Sequence, residues 1–158
     1  MSHLEEAVVE LLKQKIFTVT TAESCTAGKL AGRIMNVAGA SEVYNEGYIT
    51  YANAAKEKLL GVKHETLETF GAVSEETARE MAMGAAKEAG ADAALSVTGI
   101  AGPGGGTPEK PVGLVYIGCY VQGEVYVKKC QFTGNRERNR DSSVVQALTF
   151  LREKLLDC

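Results

Sequence analysis

Along the chain, segments with apolar residues at helical spacing alternate with short, nearly unbroken apolar runs. The first kind of segment predicts amphipathic helices, and the second kind predicts strands. The predicted helices are one carried by Leu4, Val8, Leu11 and Leu12, and then about 24–37, 53–60, 74–89 and 136–155. The predicted strands are about 15–21, 46–51, 93–98, 113–121 and 124–132.

Turn residues indicate how these elements connect. Gly61 and Gly90 follow predicted helices at the position where glycine most easily closes a helix. The Gln122-Gly123 pair separates the last two strands and predicts a hairpin. Strands joined by helical crossovers pair in parallel, whereas a hairpin adds an antiparallel strand. We therefore predict an α/β fold, with a mixed, mostly parallel five-stranded sheet covered by helices on both faces, and a single domain over residues 1–158.

Composition narrows the class of protein. A chain of 158 residues with 45% hydrophobic residues and a net charge of -3 is typical of a soluble globular domain and argues against a nucleic-acid partner. The amino terminus has acidic residues in a helical pattern rather than the features of a signal peptide, and no apolar run reaches membrane-spanning length. We expect a cytoplasmic protein without membrane contact, and a homodimer as the commonest kind of assembly.

The same composition disfavours metal and disulfide chemistry. The four cysteines form no C-x-x-C pair, so reduced thiols are expected. His3 and His64 are the only histidines, which leaves little material for a zinc site or a histidine triad. We expect neither a metal nor a cofactor.

Ser24 lies where a predicted strand ends and a predicted helix opens, within the segment 21–28. Open α/β sheets bind ligands at the carboxyl ends of parallel strands. Backbone N–H groups at the start of a helix can hold an anion or a developing oxyanion. Ser24 is therefore a candidate nucleophile, although its position also fits an ordinary helix N-cap.

Lys56 lies three and four residues before Leu59 and Leu60, so it borders the apolar face of its predicted helix. Burial lowers the pKa of a lysine, and a shift from about 10.4 to about 7–8 would make it a general base. The alternative is a lysine whose stem covers the core while its ammonium group stays in water.

A glycine-rich loop at 99–106 follows the third predicted strand. It lacks the Gly-Lys-Ser/Thr of a P-loop and the G-x-G-x-x-G context of a dinucleotide site. Glycines such as Gly99, Gly102 and Gly105 would allow the backbone to approach a ligand closely. A flexible surface loop is the alternative, but loops of this density of glycine inside a compact domain are usually functional.

Arg136 and Arg140 are four residues apart at the start of the last predicted helix and share a face, while Arg138 projects differently. Two guanidinium groups beside a helix amino terminus would hold a phosphate well. A solvated cluster of charges is the alternative.

Taken together, these segments resemble the CinA carboxy-terminal domain family, whose enzymatic members are nicotinamide mononucleotide deamidases. The matching residues run in order through nearly the whole chain. They are Ala22-Glu-Ser-Cys-Thr-Ala-Gly28, Gly47-Tyr-Ile-Thr-Tyr-Ala-Asn53 with Lys56, Leu59-Leu-Gly-Val62, Gly71-Ala-Val-Ser74, Thr98-Gly-Ile-Ala-Gly-Pro-Gly-Gly105, Lys110-Pro-Val-Gly-Leu-Val115, and Gly134-Asn-Arg136 with Arg140.

The resemblance implies a three-layer α/β/α fold and hydrolysis of the amide of nicotinamide mononucleotide to nicotinate mononucleotide and ammonia. It implies Ser24 as nucleophile and Lys56 as general base. The other residues expected at this site are Tyr51 and Thr98 as polar helpers, Arg136 and Arg140 as ligands of the substrate phosphate, and Thr26, Gly99, Gly102 and Gly105 as further substrate contacts.

The sequence departs from the family pattern at Ala27, where the serine motif commonly has glycine. Longer members also carry an amino-terminal pyrophosphatase-like domain, which we do not expect here. Cys25 is a rival nucleophile, but without a histidine base a packing role is expected for it. Two other functions stay open, a non-catalytic nucleotide-binding module and an amidase for another phosphorylated amide.

Overall fold

A computed structural model describes residues 3–158. Met1 and Ser2 lie outside the described residues. Both belong to the predicted domain and to the amino-terminal segment considered above. The helices are α1 (Leu4–Lys15), α2 (Lys29–Met35), α3 (Asn53–Leu60), α4 (His64–Phe70), α5 (Glu75–Ala89) and α6 (Arg136–Asp157), with a 3₁₀ turn at Ala40–Glu42. The strands are β1 (Val19–Glu23), β2 (Tyr48–Ile49), β3 (Ala93–Gly99), β4 (Leu114–Val121) and β5 (Glu124–Gln131). Within these residues no helix combines the length and the apolar character needed to span a bilayer.

The strands form one five-stranded sheet in the order β2-β1-β3-β4-β5. Strands β2 and β3 are parallel to β1, β4 is antiparallel to β3, and β5 is antiparallel to β4. Four strands therefore run in one direction and only β4 runs against them. This arrangement confirms the prediction of a mixed, mostly parallel sheet.

Helices cover both faces of the sheet, which gives the three layers that were expected. On β3, Leu95 and Val97 belong to a core with α1, α2 and α6, while Ala94, which precedes Leu95, packs with α3 and α5 on the other face. Ser96 also points to that second face, where its hydroxyl donates to the carbonyl of Ala78 in α5. Burial on both faces explains why β3 is an almost continuous apolar run.

Some boundaries differ from the predictions. The strand predicted at 15–21 begins only at Val19, because α1 continues to Lys15 and ends at Ile16 in the left-handed conformation (φ 58°). The helix predicted at 24–37 begins only at Lys29, since a turn occupies the residues before it. Helix α4 was not predicted, and its seven residues bury only Thr66 and Leu67, too few for a periodic signal.

Two glycines inside helices provide a matched test of the packing between α3 and α5. A Cβ at Gly84 of α5 would overlap the carbonyl oxygen of Leu60 in α3, whereas a Cβ at Gly32 of α2 would meet no described atom within 4 Å. We expect Gly32→Ala to raise the free energy of unfolding by about 1 kcal/mol through helix propensity. Gly84→Ala should lower it by about 1–3 kcal/mol because the two helices must separate. Urea unfolding measures both, and a stabilising Gly84→Ala would contradict this packing.

Candidate functional site

Ser24 directly follows β1, at the carboxyl end of a strand that is buried along its whole length. Its backbone N–H donates to the carbonyl of Val97 on β3 (3.0 Å), so the serine continues the path of the sheet. The residue that caps α2 is Gly28, four positions later. The reading of Ser24 as an ordinary N-cap is therefore wrong, and the serine lies in the crevice where open α/β sheets bind ligands.

The amino terminus of α2 is occupied by the side chain of Glu23. This carboxylate is only 1% exposed. It accepts from the N–H groups of Gly28 (3.1 Å), Leu30 (2.9 Å) and Ala31 (3.0 Å). A negative charge is stabilised there by the helix dipole. These N–H groups are thus not available to a substrate anion, contrary to expectation, and sequence reasoning missed Glu23 although it stands next to the serine.

Lys56 reaches Ser24 from the first helical turns of α3. The residue is 1% exposed, and its Nζ lies 3.0 Å from the Ser24 Oγ. The same nitrogen donates to the backbone carbonyls of Thr50 (2.8 Å) and Tyr51 (3.2 Å). The alternative of a lysine with its ammonium group in water is wrong, because this amine is enclosed by the protein.

Burial lowers the pKa of Lys56 to about 8. The cause is desolvation of the charged form, since the amine's hydrogen-bonding neighbours are a hydroxyl and two carbonyls rather than a carboxylate. A neutral amine has two N–H donors and one lone pair. If the donors serve the carbonyls of Thr50 and Tyr51, the lone pair is left for the hydroxyl proton of Ser24.

A cavity of about 270 Å³ opens over this pair. Besides Ser24 and Lys56, its wall includes five residues that the sequence analysis considered individually and three that it did not. The lining residues are Ser24, Cys25, Tyr51, Lys56, Ala72, Val73, Thr98, Gly99, Ala101 and Arg136. Four other residues expected at the substrate are not among them, namely Thr26, Gly102, Gly105 and Arg140.

Tyr51 and Thr98 lie on different sides of the cavity. Tyr51 is 66% exposed and contacts Lys56 through its backbone carbonyl. Thr98 is buried, and its hydroxyl donates to the carbonyl of Ala72 (2.8 Å), which fixes the loop after α4 as a wall of the cavity. Sequence reasoning did not identify Ala72 or Val73 as wall residues, because the short helix before them was not predicted.

Three glycines of the 99–106 loop, Gly99, Gly102 and Gly106, have a packing role. A Cβ at Gly99 would crowd the backbone and side chain of Val115, and one at Gly102 or Gly106 would crowd Val112. Glycine at these positions lets the loop lie against the segment that leads into β4. Of the three glycines expected at the substrate, only Gly99 reaches the cavity.

The two arginines of α6 that were expected to bind a phosphate, Arg136 and Arg140, have different partners. The Nη1 of Arg136 donates to the carbonyl of Gly102 (2.7 Å), and this side chain lines the cavity. Arg140 donates instead from Nε to the carbonyl of Cys25 (2.8 Å) and from Nη2 to that of Thr26 (3.1 Å). We expected the two guanidinium groups to face one ligand together. In the structure only Arg136 of this pair lines the cavity.

Cys25 packs beside Ser24 with 6% of its surface exposed. Burial raises the pKa of its thiol to about 11, so the thiolate is scarce at neutral pH. His64 is exposed and pairs with Glu57 and Glu68, away from the cavity wall. Cys25 thus lacks a base, in agreement with the packing role inferred from sequence.

The fold and the cavity define an α/β protein that carries a buried lysine–serine pair at the carboxyl ends of its parallel strands. The model of the CinA C-terminal domain matches residues 1–155. The chain belongs to this family.

Named relatives agree with this assignment. The chain is 61% identical over 153 residues to a CinA-like protein of Kosmotoga olearia and 55% identical over 153 residues to a putative competence-damage inducible protein of Alkaliphilus metalliredigens. The matched region is 97% of this chain and 37% of each relative, so the chain spans well under half of their length.

Solved structures of similar proteins share the whole fold. A CinA superfamily protein from Klebsiella pneumoniae superposes with a TM-score of 0.95 at 36% identity, covering 98% of this chain and 97% of that chain. A competence/damage inducible protein from Agrobacterium tumefaciens gives a TM-score of 0.90 at 43% identity, covering 96% of this chain and 97% of that chain.

The lowered pKa of Lys56 predicts how stability depends on pH. The pKa is about 8 in the folded chain and near 10.5 when the lysine is unperturbed. Between these pH values the unfolded chain binds more protons at this lysine, so the free energy of unfolding rises with pH. Wild type should gain about 3 kcal/mol relative to Lys56→Met across this window. The measurement is urea unfolding at several pH values.

Lys58→Met is the matched control, because Lys58 is exposed on the same helix. Its stability difference from wild type should stay constant over the same pH range. A constant difference for Lys56→Met as well would show that burial does not perturb the amine of Lys56.

Proposed function

We propose that this chain hydrolyses the amide of nicotinamide mononucleotide, giving nicotinate mononucleotide and ammonia. The observation that carries the proposal is the 3.0 Å contact between the buried Lys56 Nζ and the Ser24 Oγ, with the pKa of the lysine lowered to about 8. Amides are unreactive, so their hydrolysis needs an activated nucleophile and a proton donor for the amine that leaves. A lysine with a pKa of about 8 has a substantial neutral fraction near physiological pH and can provide both functions.

In the first half of the proposed reaction, the lone pair of Lys56 accepts the hydroxyl proton of Ser24. The Ser24 oxygen attacks the amide carbon and forms a tetrahedral intermediate. The Lys56 ammonium then gives its proton to the amide nitrogen, the carbon–nitrogen bond breaks, and ammonia leaves. The product of this half is an ester of nicotinate mononucleotide with Ser24.

In the second half, Lys56 is neutral again and takes a proton from a water molecule. The hydroxide attacks the ester carbon, and the ester bond to the Ser24 oxygen breaks. Lys56 returns the proton to that oxygen, which restores the serine and releases the acid product. Lys56 takes part in every proton transfer of this scheme, and the scheme needs no metal or cofactor.

The negative charge that develops on the amide oxygen requires N–H donors. Cys25 and Ala101 both line the cavity, and neither backbone N–H donates to a backbone oxygen of residues 3–158. We assign the oxyanion contact to the Cys25 N–H, with Ala101 as the second donor. Donors fixed in place before the reaction are among the largest contributions to catalysis of acyl transfer.

The size and charge of the cavity support the proposed substrate class. Its volume of about 270 Å³ lies just below the usual range of ligand sites, which fits a mononucleotide better than a dinucleotide. Arg136 is the arginine of the cavity wall and uses one nitrogen on the Gly102 carbonyl. Its other nitrogens are suited to a phosphate, because a guanidinium group can donate several hydrogen bonds at once.

Replacement of the nucleophile tests the proposal. Ser24→Ala should reduce ammonia release from nicotinamide mononucleotide by at least about 10³-fold, because the attacking oxygen is lost. The dissociation constant of the nucleotide, measured by calorimetry, should change by less than about threefold, since the remaining cavity wall is unaltered. Ser41→Ala is the matched control, an exposed serine of the 3₁₀ turn that does not line the cavity.

Three results would contradict the mechanism, the function or the phosphate contact. Turnover by Ser24→Ala at nearly the wild-type rate would exclude Ser24 as the nucleophile. Binding of the nucleotide by wild type without any ammonia release would favour a non-catalytic nucleotide-binding module. A phosphate-free nicotinamide riboside bound equally well would indicate that Arg136 does not serve a phosphate.

A further inference from the structure

We propose that Arg140 is a positioning residue, which holds the turn 24–28 and with it the Ser24 hydroxyl within reach of Lys56. The proposal rests on the proposed function for the roles of Ser24 and Lys56. It assigns Arg140 a task other than the phosphate contact that the family resemblance implies.

The contacts of Arg140 cross a long stretch of sequence. Its guanidinium group donates to the carbonyls of Cys25 and Thr26, residues 115 and 114 positions earlier in the chain. These are the two residues that immediately follow Ser24. Hydrogen bonds from a charged donor are stronger than those between neutral groups, and two from one planar group also fix an orientation.

The turn needs such support because its backbone is strained. Ala27 has φ of 45° and Gly28 has φ of 97°, and both values lie in the left-handed region. For a residue with a Cβ this conformation is unfavourable, because the Cβ crowds the following carbonyl oxygen. Strained conformations persist only where the surrounding structure holds them.

Arg140 and Glu23 bind different backbone groups of the turn, Arg140 its carbonyls and Glu23 its N–H groups. Glu23 accepts from the N–H groups of Gly28, Leu30 and Ala31 at the end of the turn. Arg140 donates to the carbonyls at its beginning. With Ser24 bonded through its N–H to β3, little freedom is left for the serine backbone.

The helix that carries Arg140 is itself anchored. Asn139, the preceding residue, is 1% exposed, and its side chain donates to the carbonyl of Ala101 (3.0 Å) and accepts from the N–H of Gly134 (3.0 Å). Lys29 at the start of α2 forms an ion pair with Asp141 (2.9 Å). The residues on both sides of Arg140 therefore contact structure around the cavity and the turn. These contacts fix the helix backbone from which the Arg140 side chain extends.

The experiment uses the cysteines of the chain as reporters. Wild type, Arg140→Met and the matched control Arg138→Met are treated with iodoacetamide under native conditions, and modification of each cysteine is followed by peptide mass spectrometry. Cys25 lies inside the turn, Cys119 is fully buried on β4, and Cys158 is exposed. The readout is the ratio of the Cys25 rate to the Cys119 rate, which cancels any general loosening of the fold.

Arg140→Met should raise this ratio by about tenfold or more, because two hydrogen bonds from a charged group are lost only at the turn. Removing Arg140 also removes a positive charge that lowers the pKa of the Cys25 thiol, which by itself would slow the reaction. An increase therefore reports opening of the turn. Arg138→Met should leave the ratio unchanged, since Arg138 is exposed.

An unchanged ratio in Arg140→Met would overturn the proposal, whether or not the chain releases ammonia. Kinetics with nicotinamide mononucleotide provide a second readout. The positioning role predicts a lower kcat with KM within about twofold of wild type, whereas a phosphate ligand predicts a raised KM and an unchanged cysteine ratio. Failure of the proposed function would appear separately, as absence of turnover in wild type.

Discussion

The site depends on the burial of one lysine amine against one serine hydroxyl. In water the Lys56 amine would be protonated at neutral pH and could not accept the Ser24 proton. Enclosure in the protein penalises the charged form and lowers the pKa of Lys56 to about 8. The two carbonyls beside the amine orient it. Unlike a carboxylate, they carry no negative charge that would restore the charged form of the amine.

The rest of the fold keeps this contact in place. Parallel strands bring Ser24 on β1 and the loop after β3 to the same edge of the sheet, and the connection from β2 leads directly into α3 with Lys56. The strained turn after Ser24 lies between two charged side chains, Glu23 and Arg140. Neither charge is part of the cavity wall, so both contact the turn through its backbone rather than through the cavity.

Much of the fold could be predicted from sequence because its signals are local. The apolar run of β3, the glycines that end α3 and α5, and the hairpin turn at 122–123 each depend on nearby residues. Helix α4 was missed because only two of its residues are buried. The start of α2 was misplaced because the serine motif looks like a helix start, whereas the N-cap residue is Gly28. The N–H groups at this helix start are bound by the side chain of Glu23, several residues earlier.

Six of the ten residues predicted for the site line the cavity, and its geometry was less predictable. Spacing on a helix indicated that Lys56 borders an apolar face, but the distance between Lys56 and Ser24 depends on the pairing of β1 with β2. The partners of Arg140 lie more than a hundred positions away and are backbone carbonyls, which leave no trace in the sequence. The glycines of the 99–106 loop suggested a ligand, whereas their packing partner Val112 is visible only in the folded chain.

The most direct test of the account is a titration of Lys56 itself by NMR. In protein labelled with ¹³C at the lysine side chains, the Cε signal of Lys56 is identified as the one missing from Lys56→Met. We predict a midpoint of about 8 for this signal, with the exposed lysines near their ordinary value. A Lys56 signal that titrates together with those of the exposed lysines would show that burial does not lower the pKa of Lys56, and the proposed base would be wrong.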